Sequence, residues 1–321
     1  MRHSFFLFLL LVASTLCQAQ VYYVQDMNTT QIAALDRDKT VVLLPGGILE
    51  EHGPYLPSFT DGYMNLALTQ QIADHLAKKP GAQVLIFPLI PLGNGGANEV
   101  ARKYTFPGTY TVRQQTLRAL LMDVSSELGD QGFKKIFMVH MHGAPNHNQA
   151  IDQACAYFND TYHGRMVNIW NLAFTAQGSA LNAEQRKEEG FTVHAGASEH
   201  SVLYYLKPEF QKVSYHDAKP VFAAGPTELA TVSKKADWPG YWGSPRIANA
   251  ALGEKVWNGW VAGILPQVDA VLAGTYDFSQ PTFYQVISHD PDQNAVNADA
   301  LKREHAMQAK QSEWLKSKGV E

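Results

Sequence analysis

Four short apolar runs punctuate the chain, at residues 40–44 (TVVLL), 83–90 (QVLIFPLI), 135–139 (KIFMV) and 165–170 (RMVNIW). Each is bounded by turn formers or charged residues, and each predicts a buried strand. Between them the apolar spacing becomes helical. Residues 63–78 place Met64, Leu66, Ala67, Leu68, Ile72, Ala73 and Leu76 at helical intervals and stop at Pro80-Gly81. The same reasoning predicts helices over 112–128, 148–158, 197–205, 247–264 and 298–318. A short strand at 21–27 and a helix from Thr29-Thr30 through Leu35 open the folded part, while 208–245, rich in Pro, Gly and Trp, predicts irregular structure. Strand and helix alternate without a repeat or linker. That order predicts an α/β protein with one three-layer domain over residues 20–321: a mostly parallel sheet with helices on both faces.

Composition sharpens this picture in three places. With 45% hydrophobic and 17% charged residues among 321, the chain has enough apolar material for a large core. Its formal net charge of −4 comes with no basic patch, which argues against a nucleic-acid partner. Residues 1–19 read as a secretory signal peptide: Arg2 and His3, then an apolar stretch too short to span a bilayer, then Cys17 and Ala19 as the small residues before cleavage at Gln20. That reading predicts a periplasmic or secreted protein. Leu16 before Cys17 argues against lipidation. The mature chain then keeps one cysteine, Cys155, whose apolar neighbours predict a buried helical thiol with no disulfide.

Candidate chemistry gathers just past the strand ends. After the run at 40–44 comes PGGILEEHGPYLPSFTDG, with Glu50, Glu51, His52 and Asp61 among turn-forming residues. On extended backbone residues i and i+2 share a face, so Glu50 and His52 can face one centre while Glu51 faces away. The strand at 135–139 leads into His140-Met141-His142-Gly143, and a third stretch carries His194 and Glu199. The carboxyl ends of parallel strands lie on one edge, so these three stretches can converge. Carboxylate and imidazole together suit zinc or manganese. Glu51 reads as solvated or as a carboxylate supporting the ligands from behind, His140 as structural or supporting in the same way, and His147 and His200 as polar loop or helix-face residues.

Taken together, these stretches resemble the creatininase family over roughly residues 38–270. The opening loop is similar to the family pattern G-S-x-E-Q-H-G-P-H-L-P…D, and His140-Met141-His142-Gly143 stands where the family has Asn-Gly-His-Gly. Phe106-Pro107-Gly108-Thr109, the segment from His194 to Ser201, and Gly240-Tyr241-Trp242-Gly243-Ser244-Pro245 match further family segments in the same order. The resemblance implies two divalent metals, zinc and/or manganese. Glu50 and His142 would hold one, His52 the other, and Asp61 would bridge them. Ala144 stands where creatininase has a glutamate ligand, so Glu199 becomes the replacement ligand, with His194 as the catalytic partner.

The resemblance further implies a metal-dependent amidohydrolase acting on the C–N bond of a small cyclic or linear amide: creatinine-like, a formamide or a short peptide. Tyr55, in place of a family histidine, and Trp170 and Trp242 are candidate substrate contacts; with Trp238, the tryptophans could instead pack a core or a subunit contact. The tryptophan that creatininase carries shortly before the third motif is absent, which argues against creatinine itself. By resemblance the assembly is a homo-oligomer, often a hexamer in this family. The alternative is a protein that keeps the fold and binds metal or a small molecule without turnover.

Overall fold

The computed structural model describes residues 20–174, 180–211 and 213–320; the expected leader lies outside the described residues. Strands β1 (Gln20–Tyr23), β2 (Thr40–Pro45), β3 (Gln83–Ile86), β4 (Lys135–Val139) and β5 (Arg165–Asn168) form one sheet in the order β1-β3-β2-β4-β5. Every pairing is parallel. The helices in chain order are α1 (Thr29–Ala33), α2 (Thr60–Leu76), α3 (Ala97–Val100), α4 (Gln114–Asp130), α5 (Pro145–Tyr162), α6 (Ile169–Ala173), α7 (Ala183–Glu189), α8 (Ala197–Leu206), α9 (Pro226–Ser233), α10 (Ala250–Ala273), α11 (Phe283–Ile287) and α12 (Pro291–Ser317). Among the described residues no helix is long and apolar enough to cross a membrane.

β2 is buried along its whole length at the centre of the sheet. Its side chains alternate between two cores. Val41 and Leu43 join Met64, Leu68 and Ile72 of α2, Val202 of α8 and Val256 and Ile264 of α10. Val42 and Leu44 join Leu117 and Leu121 of α4 and Ile151 and Phe158 of α5. This two-sided burial is why the strands read as continuous apolar runs. The chain leaves β2 through α2 on one face and leaves the neighbouring β4 through α5 on the other. A crevice therefore opens at the carboxyl ends of β2 and β4, the switch point where such sheets build their sites.

Several boundaries differ from the sequence expectation for local reasons. β3 stops at Ile86 because Pro88 has no N–H to give the ladder; Ile90 rejoins it by donating to the Pro45 carbonyl at 3.0 Å. β5 stops at Asn168, whose side chain accepts from the Trp170 N–H and starts α6, so Trp170 sits on a helix and not on a strand. α2 begins at Thr60, which puts Asp61 in its first turn. Residues 208–245 hold α9 as well as irregular chain. α12 begins at Pro291, with Asp290 accepting from the Asp292 and Gln293 N–H groups. Trp238 and Trp242 are buried, with ring centroids 5.0 Å apart, and fill a small core instead of presenting a subunit surface. Cys155 is a buried free thiol on α5.

Candidate metal centre

Two loops and two helix starts deliver the site. Glu50 and His52 follow β2, His142 follows β4, Asp61 opens α2, and Glu199 lies in the first turn of α8. A carboxylate in a helix's first turn faces the positive end of the helix dipole, which lowers the cost of collecting acids in one place. Glu50, His52, Asp61 and His142 are each less than 8% exposed.

Their donor atoms fall into overlapping triads, each with ligand atoms within 4.8 Å of one another: Glu50, Asp61 and His142; His52, Asp61 and Glu199; and Glu50, His52 and His194. Asp61 belongs to the first two. His142 Nδ1 stands 3.3 Å from both Glu50 Oε2 and Asp61 Oδ2. His52 Nε2 stands 3.3 Å from Glu199 Oε1 and 3.9 Å from Asp61 Oδ1. An edge of about 3.3 Å is that of a tetrahedron with bonds of about 2.05 Å, the zinc–ligand range.

The two imidazoles are held by their far nitrogens. His52 Nδ1 donates to the Glu50 carbonyl at 3.0 Å, and His142 Nε2 donates to the Gly95 carbonyl at 2.8 Å. Such bonds select the tautomer that leaves the other nitrogen free to ligate. Glu50 Oε1 accepts from the Ala97 N–H at 2.6 Å, at the start of α3. Glu50 Oε2 and Asp61 Oδ2 are buried and accept no hydrogen bond. Leaving two carboxylate oxygens so placed is costly unless a cation meets them. The residues present therefore fit divalent-cation binding.

Electrostatics points the same way. Burial alone would raise the Glu50 carboxyl, but His194 and His142 outweigh it and bring the carboxyl down to about 2. Burial opposes charge on His52, yet Glu199, Asp61 and Glu50 raise it to about 10. His142 is likewise raised by Glu50 and Asp61 against burial, and Glu199 is lowered by His52 against burial. The acids thus hold positive charge on the imidazoles, the place a cation would take.

His194, a member of the third triad, lies beside the two that share Asp61. Its Nε2 donates to the Glu51 carbonyl at 2.6 Å, leaving Nδ1 3.7 Å from Glu50 Oε1. Its ring is 4.3 Å from that of His52, centroid to centroid. The next residue, Ala195, has φ of 50°, a left-handed conformation that costs a non-glycine residue about 1–2 kcal/mol. That turn aims the Ala195 N–H at Glu199 Oε2, 2.6 Å away, and so joins His194 to Glu199 through one strained link.

Other expected residues fall differently. Trp170 and Trp242 line the cavity beside the triads. Tyr55 does not: its ring packs against Tyr241 and His200, at 6.1 and 6.4 Å, and is partly buried on an apolar cluster there. Of the two expectations for Glu51, the supporting role fits and the solvated one does not. Glu51 is buried, accepts from the Gly53 N–H at 3.1 Å, and burial pushes its carboxyl up to about 6. His147 and His200 are buried too. His147 takes the Asn94 N–H on Nδ1 and shares its Nε2 with His140 Nδ1 at 2.9 Å. Burial keeps this histidine pair neutral, with His140 lowered to about 3.

Two buried glutamates went unnoticed in the sequence. Glu189, on α7, accepts from the Ala197 N–H at 2.7 Å and the Ser244 N–H at 2.6 Å, tying the start of α8 to the 240–245 loop. Glu99, on α3, lines the cavity and faces Arg303 at 3.8 Å. For Glu189, as for Glu51, the one signal available was the Gly240–Gly243 pair; Glu99 had none. A Cβ at Gly240 would stand 2.2 Å from Glu51 Oε2, and one at Gly243 would stand 2.6 Å from the Glu189 carboxyl. Both glycines also have positive φ.

Comparisons with known proteins give the family and the fold. Residues 25–268 match the creatininase family model, described as creatinine amidohydrolase, and the chain belongs to the creatininase family. The mycofactocin precursor peptide peptidase of Mycolicibacterium smegmatis is 24% identical over 251 residues, 77% of this chain and 92% of that one. The creatinine amidohydrolase of Pseudomonas putida is 22% identical over 235 residues, 70% of this chain and 86% of that one. Among solved structures, a point variant of creatininase complexed with creatine superposes with a TM-score of 0.57 at 20% identity, covering 80% of this chain and 100% of the other. A manganese form of creatininase gives 0.56 at 20% identity, with the same coverage. At these identities the structural likeness establishes the fold. Residues 269–321, with the end of α10 and all of α11 and α12, fall beyond the family match.

Proposed function

We propose that the protein is an amidohydrolase with two divalent cations, zinc or manganese, that cleaves the C–N bond of a small amide. The observation that carries this is Asp61, shared by two triads that otherwise draw on different residues, with buried carboxylate oxygens left unpartnered between them. Glu50 and His142 would hold one cation with Asp61, and His52 and Glu199 the other. Bound there, the cations would supply polarisation of the amide carbonyl and a lowered pKa for a water molecule.

The chain's own groups supply the rest. Glu50, fixed by the Ala97 N–H, keeps one oxygen in place for the cation. His194, anchored through Nε2 on Glu51, has Nδ1 available to take a proton as water adds to the carbonyl carbon, and to return it to the nitrogen as the C–N bond breaks. Water thereby delivers its hydroxyl to the acid product and its proton to the amine. The walls around this centre, Met64, Met141 and Trp242 among them, limit competing water.

The test is hydrolysis of a panel of cyclic amides, formamides and short peptides. Activity should vanish with a chelator and return with zinc or manganese. A protein that loads metal yet cleaves nothing in that panel would favour the second reading, metal or small-molecule binding without turnover, for which the Ala144 substitution is the motive. We also propose that residues 1–19 direct export. N-terminal mass analysis of the mature protein should begin at Gln20, and a retained Met1 would refute it.

A further inference from the structure

The centre opens into a cavity of about 420 Å³, within the range that encloses drug-sized ligands. Its inner wall belongs to the family core, with Met64, Met141 and Trp170. Its outer wall does not. Phe283 and Ile287 of α11 and Val296 and Ala300 of α12 face the same space, and all lie beyond the family match. The polar side chains from these helices that also line it, Gln293 and Asn297, are bonded to one another at 3.0 Å.

This wall is fixed to the domain from several sides. Phe283 meets Trp170 edge-on at 5.7 Å, and its N–H donates to Asn171 Oδ1 at 2.9 Å. Asn146 Nδ2 donates to the Asn297 carbonyl at 3.3 Å. Glu304 accepts from Asn94 Nδ2 at 2.6 Å and from the Gln114 N–H at 2.8 Å. Few residues of α12 are fully buried, and one of them, Ala300, faces the cavity. A mainly polar helix that turns small apolar residues toward a cavity leaves room there for an apolar guest.

We propose that α11 and α12 form an apolar subsite beside the metal centre, and that the substrate is a linear amide carrying an aromatic or branched aliphatic group next to the scissile bond. A small polar ring would leave most of this space empty of favourable contact. The proposal rests on the amide-cleaving reading for the reaction, but the subsite itself can be tested without turnover.

The experiment titrates the full mature protein with the neutral fluorophore N-phenylnaphthylamine, with metal content measured on each sample. Expected is binding of one dye per chain, displaced by phenylacetamide at concentrations where acetamide has no effect. Ala300→Phe, which fills the space, should weaken dye binding about tenfold or more, and Ile287→Ala should weaken it roughly threefold. Trp314→Ala, on the exposed part of α12, should leave it unchanged. Metal content should be the same in all four proteins. Dye binding indifferent to both Ala300→Phe and Ile287→Ala, or equal displacement by the two amides, would overturn the subsite even in a protein that hydrolyses amides. Absence of metal or of hydrolysis with these shifts intact would sink the amidohydrolase reading and leave the subsite standing.

Discussion

Asp61 ties the centre together at the scale of single residues: it closes one triad with Glu50 and His142 and another with His52 and Glu199. His194 is assigned a different part because it stands outside the two triads that share Asp61, with its Nδ1 3.7 Å from Glu50 Oε1. His194→Ala should therefore retain the bound metal and lose activity roughly 10²–10⁴-fold, read from kcat alongside elemental analysis. Equal loss of metal would make it a ligand instead. Glu189 accepts two backbone N–H groups, one on each carboxylate oxygen. Glu189→Gln would turn an amide NH₂ toward one of those donors, and should cost about 1–3 kcal/mol, seen as a lower Tm. The six candidate ligands and partners, Glu50, His52, Asp61, His142, His194 and Glu199, were legible because they gather in three short stretches dense in His and acid residues. Glu51, Glu99 and Glu189 were not, because what buries a carboxylate comes from elsewhere in the chain. The packing of Tyr55 was not legible for the same reason: its partners Tyr241 and His200 are distant in sequence.

At the scale of elements, β2 and β4 were read well because both faces are buried and nothing in them interrupts the ladder. β3 and β5 were read too long, since Pro88 and the Asn168 cap act through single residues. The C-terminal helix is expected over 298–318 and begins earlier, at Pro291, and its role depends on side chains that meet other elements. Glu304 is the main one: α4 has no side-chain cap at Arg113, and Glu304 takes the Gln114 N–H in its stead. Glu304→Ala should destabilise the protein by about 1–3 kcal/mol in chemical denaturation, and an unchanged midpoint would show that α12 is held without it. Glu99 adds a pH dependence. Burial, then the nearby Glu304, pushes its carboxyl up to about 7 against the pull of Arg303. A carboxyl whose pKa rises on folding favours the folded state only while it keeps its proton. That stability is whole below the ordinary 4.5 and is lost as pH climbs to about 7. The loss is at most about 3 kcal/mol. Glu99→Gln should flatten the fall in Tm across this window, and a wild-type Tm that rises there would contradict the assignment.

At the scale of the whole molecule, the order β1-β3-β2-β4-β5 puts the carboxyl ends of β2 and β4 side by side while α2 and α5 leave on opposite faces. This topology is what lets ligands from three distant stretches meet. Alternating strand and helix made the α/β layering readable from the sequence. Strand order and the cavity's outer wall were not, because both depend on contacts between segments far apart in the chain. The central claim is that two cations share Asp61, and elemental analysis of metal per chain tests it most directly. The samples are the mature wild type, Glu199→Ala and Asp61→Ala, each reconstituted with zinc or manganese and confirmed folded by circular dichroism. Expected are two metals in the wild type, about one in Glu199→Ala and essentially none in Asp61→Ala. One metal in both the wild type and Glu199→Ala would contradict a paired centre, and no metal in the reconstituted wild type would contradict the proposed chemistry altogether.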